Sequence, residues 1–204
     1  MMKRFSVILS LLVLCVAAIC AADSPAQILR RSADKLKSAK SLHITYTATA
    51  DGYTYEGTLV TQGNMFTISS PQMKSWYDGK TQWTYSSQIG EVNIITPTAE
   101  EVRQINPIAI ISSFTNDYTV TALKSPAGTS SVLLTAKNRK ADIRSADITI
   151  DNKSLYPTRI LLTMSNNQTV TIDIKDIKAG DGIPADNFRF NKSRYPGVQV
   201  VDLR

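Results

Sequence analysis

The stretch Ser41-Leu42-His43-Ile44-Thr45-Tyr46-Thr47-Ala48-Thr49-Ala50-Asp51-Gly52-Tyr53-Thr54-Tyr55-Glu56-Gly57-Thr58-Leu59-Val60-Thr61-Gln62 decides the fold. Its first half alternates, with Leu42, Ile44, Tyr46, Ala48 and Ala50 set against His43, Thr45, Thr47 and Thr49. Successive side chains of a strand point to opposite faces, so this period of two predicts a strand with one buried face and one wet face. Asp51-Gly52 is a dipeptide that closes a tight hairpin, and Tyr53 to Gln62 returns as a second strand.

The same pattern runs on toward the C-terminus. Asn64 to Ser69 reads as a third strand, Trp76 to Tyr85 as a hairpin turning at Asp78-Gly79, and Glu91 to Thr96 as another strand. It then breaks. Pro97-Thr98-Ala99-Glu100-Glu101 predicts a short helix with Thr98 and Glu101 as a capping box, and Asn106-Pro107 predicts the start of another. The body of the second, Ile108-Ala109-Ile110-Ile111-Ser112-Ser113-Phe114, is too apolar for a solvated turn. Something must cover it, either as ordinary core packing or as a lid over a ligand. Strands resume at Tyr118 to Lys124, Ser131 to Lys137, Ile143 to Asp151, Thr158 to Met164, Thr169 to Ile174, Ala185 to Phe190 and Val198 to Asp202. This excess of strands over helices predicts a mainly β protein with an α lid. A long antiparallel meander of this kind must curl or close to bury its edges and inner face.

Upstream of the decisive stretch, Ser24 is placed to cap a helix, Pro25 suits its first position and Gln27 completes a capping box. Leu29, Ala33 and Leu36 fall on one face, while Arg30, Arg31, Lys35, Lys37 and Lys40 take the others. Further upstream, Lys3-Arg4 precedes an almost wholly apolar run from Phe5 to Cys20, followed by Ala21-Ala22. That order is the layout of a secretory signal peptide, cleaved near Ala22, and predicts export out of the cytoplasm with residues 23–204 as one domain. Leu14 and Ile19 precede Cys15 and Cys20, where lipidation would need a small residue. Both cysteines fall within the predicted signal segment, so the mature chain can form no disulfide.

Composition narrows the chemistry. The 23 Lys and Arg, less Lys3 and Arg4, leave 21 against 17 acidic residues, too small a surplus to point to nucleic acid in an exported protein. One histidine, His43, and no mature thiol argue against zinc, copper or haem, and no cofactor is expected. No Gly-x-Ser-x-Gly elbow or glycine-rich phosphate loop occurs. A hydrolase of lipid-like substrates would have to be built on His43, which the alternation places on a wet face. The aromatics Tyr46, Tyr53, Tyr55, Phe66, Trp76, Trp83 and Tyr85 crowd the first half. Together with the apolar helix they predict a ligand cavity lined by Ile44, Tyr46, Leu59, Phe66, Trp83 and Tyr85, with Ile108, Ile111 and Phe114 on its lid.

Four pieces in this order resemble one family. They are Ser41-Leu42-His43-Ile44-Thr45-Tyr46 after a helix, the hairpin Asp78-Gly79-Lys80-Thr81-Gln82-Trp83-Thr84-Tyr85, Asn106-Pro107 with its apolar helix, and Phe188-Arg189-Phe190 followed by Pro196-Gly197-Val198-Gln199-Val200-Val201-Asp202. The chain is similar to the periplasmic outer-membrane lipoprotein carriers of the LolA type. The resemblance implies an unclosed antiparallel β-barrel covered by helices, without catalysis. It also implies a monomer that carries the acyl chains of lipoproteins from an inner-membrane release complex to an outer-membrane acceptor. Sensor domains of the same fold, which bind lipoprotein or lipid, are the alternative reading. One departure is local. The family's Arg-Pro pair before the third strand is replaced by Gln62-Gly63, while Phe66 matches, which leaves a different lipid or apolar ligand open.

Overall fold

The computed structural model describes residues 23–106 and 108–204; the export segment, with Cys15 and Cys20, and Pro107 lie outside the described residues. Helix α1 (Pro25–Ser38) opens as its sequence dictates. The Gln27 amide N–H donates to Ser24 Oγ at 3.2 Å, and the Ser24 amide donates back to Gln27 Oε1 at 2.7 Å. Strands β1 (Ser41–Ala50) and β2 (Tyr53–Gln62) pair antiparallel with Leu42 opposite Thr61 and Ala50 opposite Tyr53. The turn between them holds Asp51 at φ 50° and Gly52 at φ 80°. Positive φ at both central positions matches the right-handed twist of the flanking strands, which is why Asp-Gly works there.

The sheet continues through β3 (Met65–Ser69), β4 (Met73–Tyr77), β5 (Gln82–Ser86) and β6 (Glu91–Ile95). Two helices follow, α2 (Ala99–Ile105) and α3 (Ile108–Asp117). Then come β7 (Tyr118–Leu123), β8 (Thr129–Ala136), β9 (Ile143–Asp151), β10 (Pro157–Met164), β11 (Thr169–Gly180) and β12 (Gln199–Asp202). All twelve form one curled, unclosed sheet in the order β12-β6-β5-β4-β3-β2-β1-β11-β10-β9-β8-β7. Its inner face carries Ile44, Leu59, Phe66, Leu134, Ile148 and Ile160, all at most 1% exposed. Against it pack Leu29, Ala33 and Leu36 of α1 and Ile108, Ile110, Ile111 and Phe114 of α3.

The structure corrects three expectations. Residues 185–190 do not form a strand. Ala185–Phe188 is a 3-10 turn that drops Phe188 into a fully buried site, so the apolar residue there marks an anchor rather than a pleat. The sheet is not a simple antiparallel meander. Strand β12 pairs parallel with β6, Gln199 opposite Glu91 and Asp202 opposite Ile94, because the segment after Gly180 is long enough to cross over. Strand β11 runs on to Gly180 instead of stopping at Ile174. Its extra length pairs with the first half of β1, past a bulge that places Asp176 opposite Thr45 and Ile174 opposite Tyr46. A bulge of that kind shifts the in-and-out alternation and hides the strand's continuation from a period-two reading.

Candidate functional site

An open cleft of about 530 Å³ lies at one rim of the curled sheet. The start of β1, the end of β2 and the end of β4 meet at that rim, contributing Leu42, Thr61 and Tyr77. Helix α1 and the residue after it supply Leu36, Lys37 and Ala39, α2 supplies Ala99, Val102 and Arg103, and α3 supplies Ile108, Ala109, Ser112 and Ser113. Much of the wall is small. Ala39, Gly63, Ala99, Ala109, Ser112 and Ser113 cannot fill the space between the three helices and the sheet. On α3 the spacing of 109, 112 and 113 sets the small residues on one face, while Ile108, Ile111 and Phe114 set the core face.

Polar groups ring the mouth. Lys37 Nζ donates to the Ser112 carbonyl at 3.3 Å and so ties α1 to α3. Arg103 Nη1 stands 3.6 Å from Asp117 Oδ2, with only 17% of its side chain exposed. Asn106 caps α3 by accepting the Ile108 amide on Oδ1 at 3.2 Å. Burial, and then the neighbouring Asp78 carboxylate, push the Tyr77 phenol above its ordinary value, so this wall residue is neutral at physiological pH.

Helix α2 is the thinnest cover. None of its residues is fully buried, and polar ties at its ends hold it. Gln104 Nε2 donates to Asp142 Oδ2 at 2.7 Å, and the Asp142 amide donates to Glu100 Oε1 at 2.9 Å. Helix α3, by contrast, buries Ile108, Ile110, Ile111 and Phe114, of which Ile110 and Ile111 are fully buried.

The residues expected to line a cavity divide into three groups. Ile44, Tyr46, Leu59, Phe66, Ile111 and Phe114 face the interior but are packed as core. Ile108 is the one of the nine on the wall of the cleft. Trp83 and Tyr85 belong to the opposite face. Trp83 lies across from Trp76 and Tyr85 across from Lys74, whereas the inner face of this hairpin carries Ser75 and Tyr77. Pleat parity sends both outward, where the C-terminal segment meets Tyr85 and the neighbouring Trp76. Tyr195 stacks with Tyr85 at 4.9 Å between centroids, and Phe190 and Tyr195 meet Trp76 at 5.5 and 5.6 Å. His43 points out of the sheet and is exposed, opposite Lys178 and Val60. Gly63 opens the cleft mouth, since nothing lies within 4 Å of where its Cβ would be. The preceding Gln62 points elsewhere. Its Nε2 donates to the Ile183 carbonyl at 3.1 Å and its Oε1 accepts the Ile183 amide at 2.7 Å, pinning the C-terminal crossover. The small-residue spacing at 109, 112 and 113 was the readable signal for this cleft; Lys37 and Arg103 gave none.

The fold has known counterparts. The chain is similar to an uncharacterized conserved protein of Thermus thermophilus, with TM-score 0.55, 9% identity, 85% of this chain and 98% of that one covered. It is also similar to a DUF1329 family protein of Desulfovibrio piger, with TM-score 0.51, 11% identity and coverage of 85% and 100%. Its likeness to a putative outer membrane lipoprotein-sorting protein domain of Vibrio parahaemolyticus has TM-score 0.49, 10% identity and coverage of 84% and 97%. At such identities the first two likenesses speak to the fold alone. No curated protein matches the sequence significantly. The model of one sequence family, outer membrane lipoprotein carrier protein LolA, matches residues 33–168. That span carries the first ten strands, the end of α1 and the whole of α2 and α3 around the cleft, and the chain therefore belongs to the LolA family of outer membrane lipoprotein carrier proteins.

Proposed function

We propose that this protein is an exported, periplasmic carrier that takes the acyl chain of a lipoprotein or another lipid-like molecule into the rim cleft and moves it between membranes. The observation that carries this reading is the cleft itself, about 530 Å³, walled mainly by apolar and small residues and roofed by a helix that is tied down by polar bonds. Pockets of roughly 300–1,000 Å³ with apolar walls and a few placed polar groups are where proteins hold small ligands. A carrier is needed because each methylene left in water costs about 0.8 kcal/mol. Cargo enters when α2 lifts and leaves unchanged, and the place of His43 outside the cleft supports a carrier over a hydrolase built on that residue. Family membership supports an inner-membrane release complex and an outer-membrane acceptor as partners, with the carrier acting as a monomer. The test is binding of a fluorescent acylated peptide to the delipidated mature protein, together with mass spectrometry of molecules extracted from the freshly purified one. Saturable one-to-one binding is expected, and no binding of any acylated or apolar probe would overturn the reading.

A further inference from the structure

We propose, resting on the carrier reading, that the ligand is a single-chain amphiphile with an anionic head, a carboxylate or a phosphate, and that Lys37 at the cleft mouth pairs with that head. Capacity is the first argument. An apolar cavity of about 150 Å³ takes benzene, roughly 25 Å³ per carbon. At that density the 530 Å³ here takes about twenty carbons, one long acyl chain.

Charge is the second argument. Among the described residues two cations, Lys37 and Arg103, line the cleft, and no carboxylate does. Arg103 is already engaged, with Asp117 at 3.6 Å. Lys37 is not, for among the described residues it forms no ion pair, and its hydrogen bond runs to the neutral Ser112 carbonyl. An ammonium has three donors, so that bond leaves two for a head group held at the mouth. The surrounding charge agrees. Arg30, Arg31, Lys35, Lys37 and Lys40 against Asp23 and Asp34 put most of the mature chain's positive surplus on this one helical segment beside the cleft. Such a field draws anions toward the mouth.

The test uses 11-(dansylamino)undecanoic acid and its methyl ester, probes of equal chain and different head charge, with the delipidated mature protein. The acid should bind about tenfold more tightly than the ester at low salt, a difference near 1.4 kcal/mol, with one probe per protein. Raising the ionic strength should shrink the preference. Lys37→Gln should cost the acid most of that tenfold and the ester much less, and Lys37→Arg should restore it. Displacement by palmitate or by hexadecyl phosphate supports the proposal, and the stronger of the two names the head. Equal binding of acid and ester, equal losses in Lys37→Gln, or two probes per protein would overturn it while leaving the carrier reading intact. Failure of both probes and of the acylated peptide to bind would sink the carrier reading itself.

Discussion

Tyr46 and Gly57 face each other across the first hairpin, and the tyrosine ring lies over the glycine so closely that a Cβ there would stand 2.7 Å from Cε2. Tyr46 is only 8% exposed, so its ring has little room to retreat. Gly57 is needed for its missing side chain rather than for backbone freedom. Gly57→Ala should destabilise the fold by about 1–3 kcal/mol, as overpacking of a filled core does, and urea unfolding measures it. An unchanged midpoint would show that the ring moves freely.

The same burial sets a pH response. Burial, and secondarily the nearby Tyr55, push the Tyr46 phenol up to about 12 from an ordinary 10.0. The folded protein therefore holds this proton where the unfolded chain has begun to lose it. The stability it contributes is fully present below pH 10 and is lost as the pH climbs from 10 through about 12. Tyr46→Phe should flatten that alkaline decline, which urea midpoints below and above pH 10 would reveal.

Core and cleft on helix α3 separate by one residue type each. Ile111 is fully buried, so Ile111→Ala should cost about 2–5 kcal/mol and weaken ligand binding only through loss of folded protein. Ala109 lies on the cleft wall, so Ala109→Phe should leave the unfolding midpoint near that of the parent while lowering probe affinity about tenfold or more, some 1.4 kcal/mol. If both variants lost stability and binding in proportion, α3 would have no separate cleft face.

Helix α2 should govern entry. Replacing Glu100 with Gln and Gln104 with Ala weakens its two ties to Asp142 without touching the apolar wall. Stopped-flow mixing should then show faster probe uptake and faster release, with the equilibrium affinity changed by less than either rate. Identical rates would mean that cargo enters past a different edge.

Local sequence was enough for the elements whose rules are local. The period of two from Leu42 to Ala48 gave the inner face of β1, Asp51-Gly52 gave its turn, and the capping boxes at Ser24 and Thr98 gave the starts of α1 and α2. Each depends on neighbours within four residues, so the chain carries the whole instruction. The apolar character of α3 was equally plain, but what covers it was not. A run of Ile and Phe reads the same whether it is core or lid, and only the inner surface of the curled sheet made it core.

Tertiary structure alone decided the rest, because the deciding partners are far apart in the chain. Trp83 and Tyr85 look like cavity residues until the register of β4 and β5 sends them outward, Tyr85 against Tyr195. Gln62, where the family pattern carries arginine, became a clamp on Ile183 through two hydrogen bonds spanning 121 residues. Phe188 became an anchor instead of part of a strand, and β12 paired parallel with β6 because a long crossover permitted it. The cleft itself is an absence of side chains, made where small residues of α1, α2 and α3 meet the rim of the sheet. The sequence determined which segments are strand and helix, since those follow from nearest neighbours; the fold decided where space was left between them, since a void belongs to the elements that surround it and to no one of them.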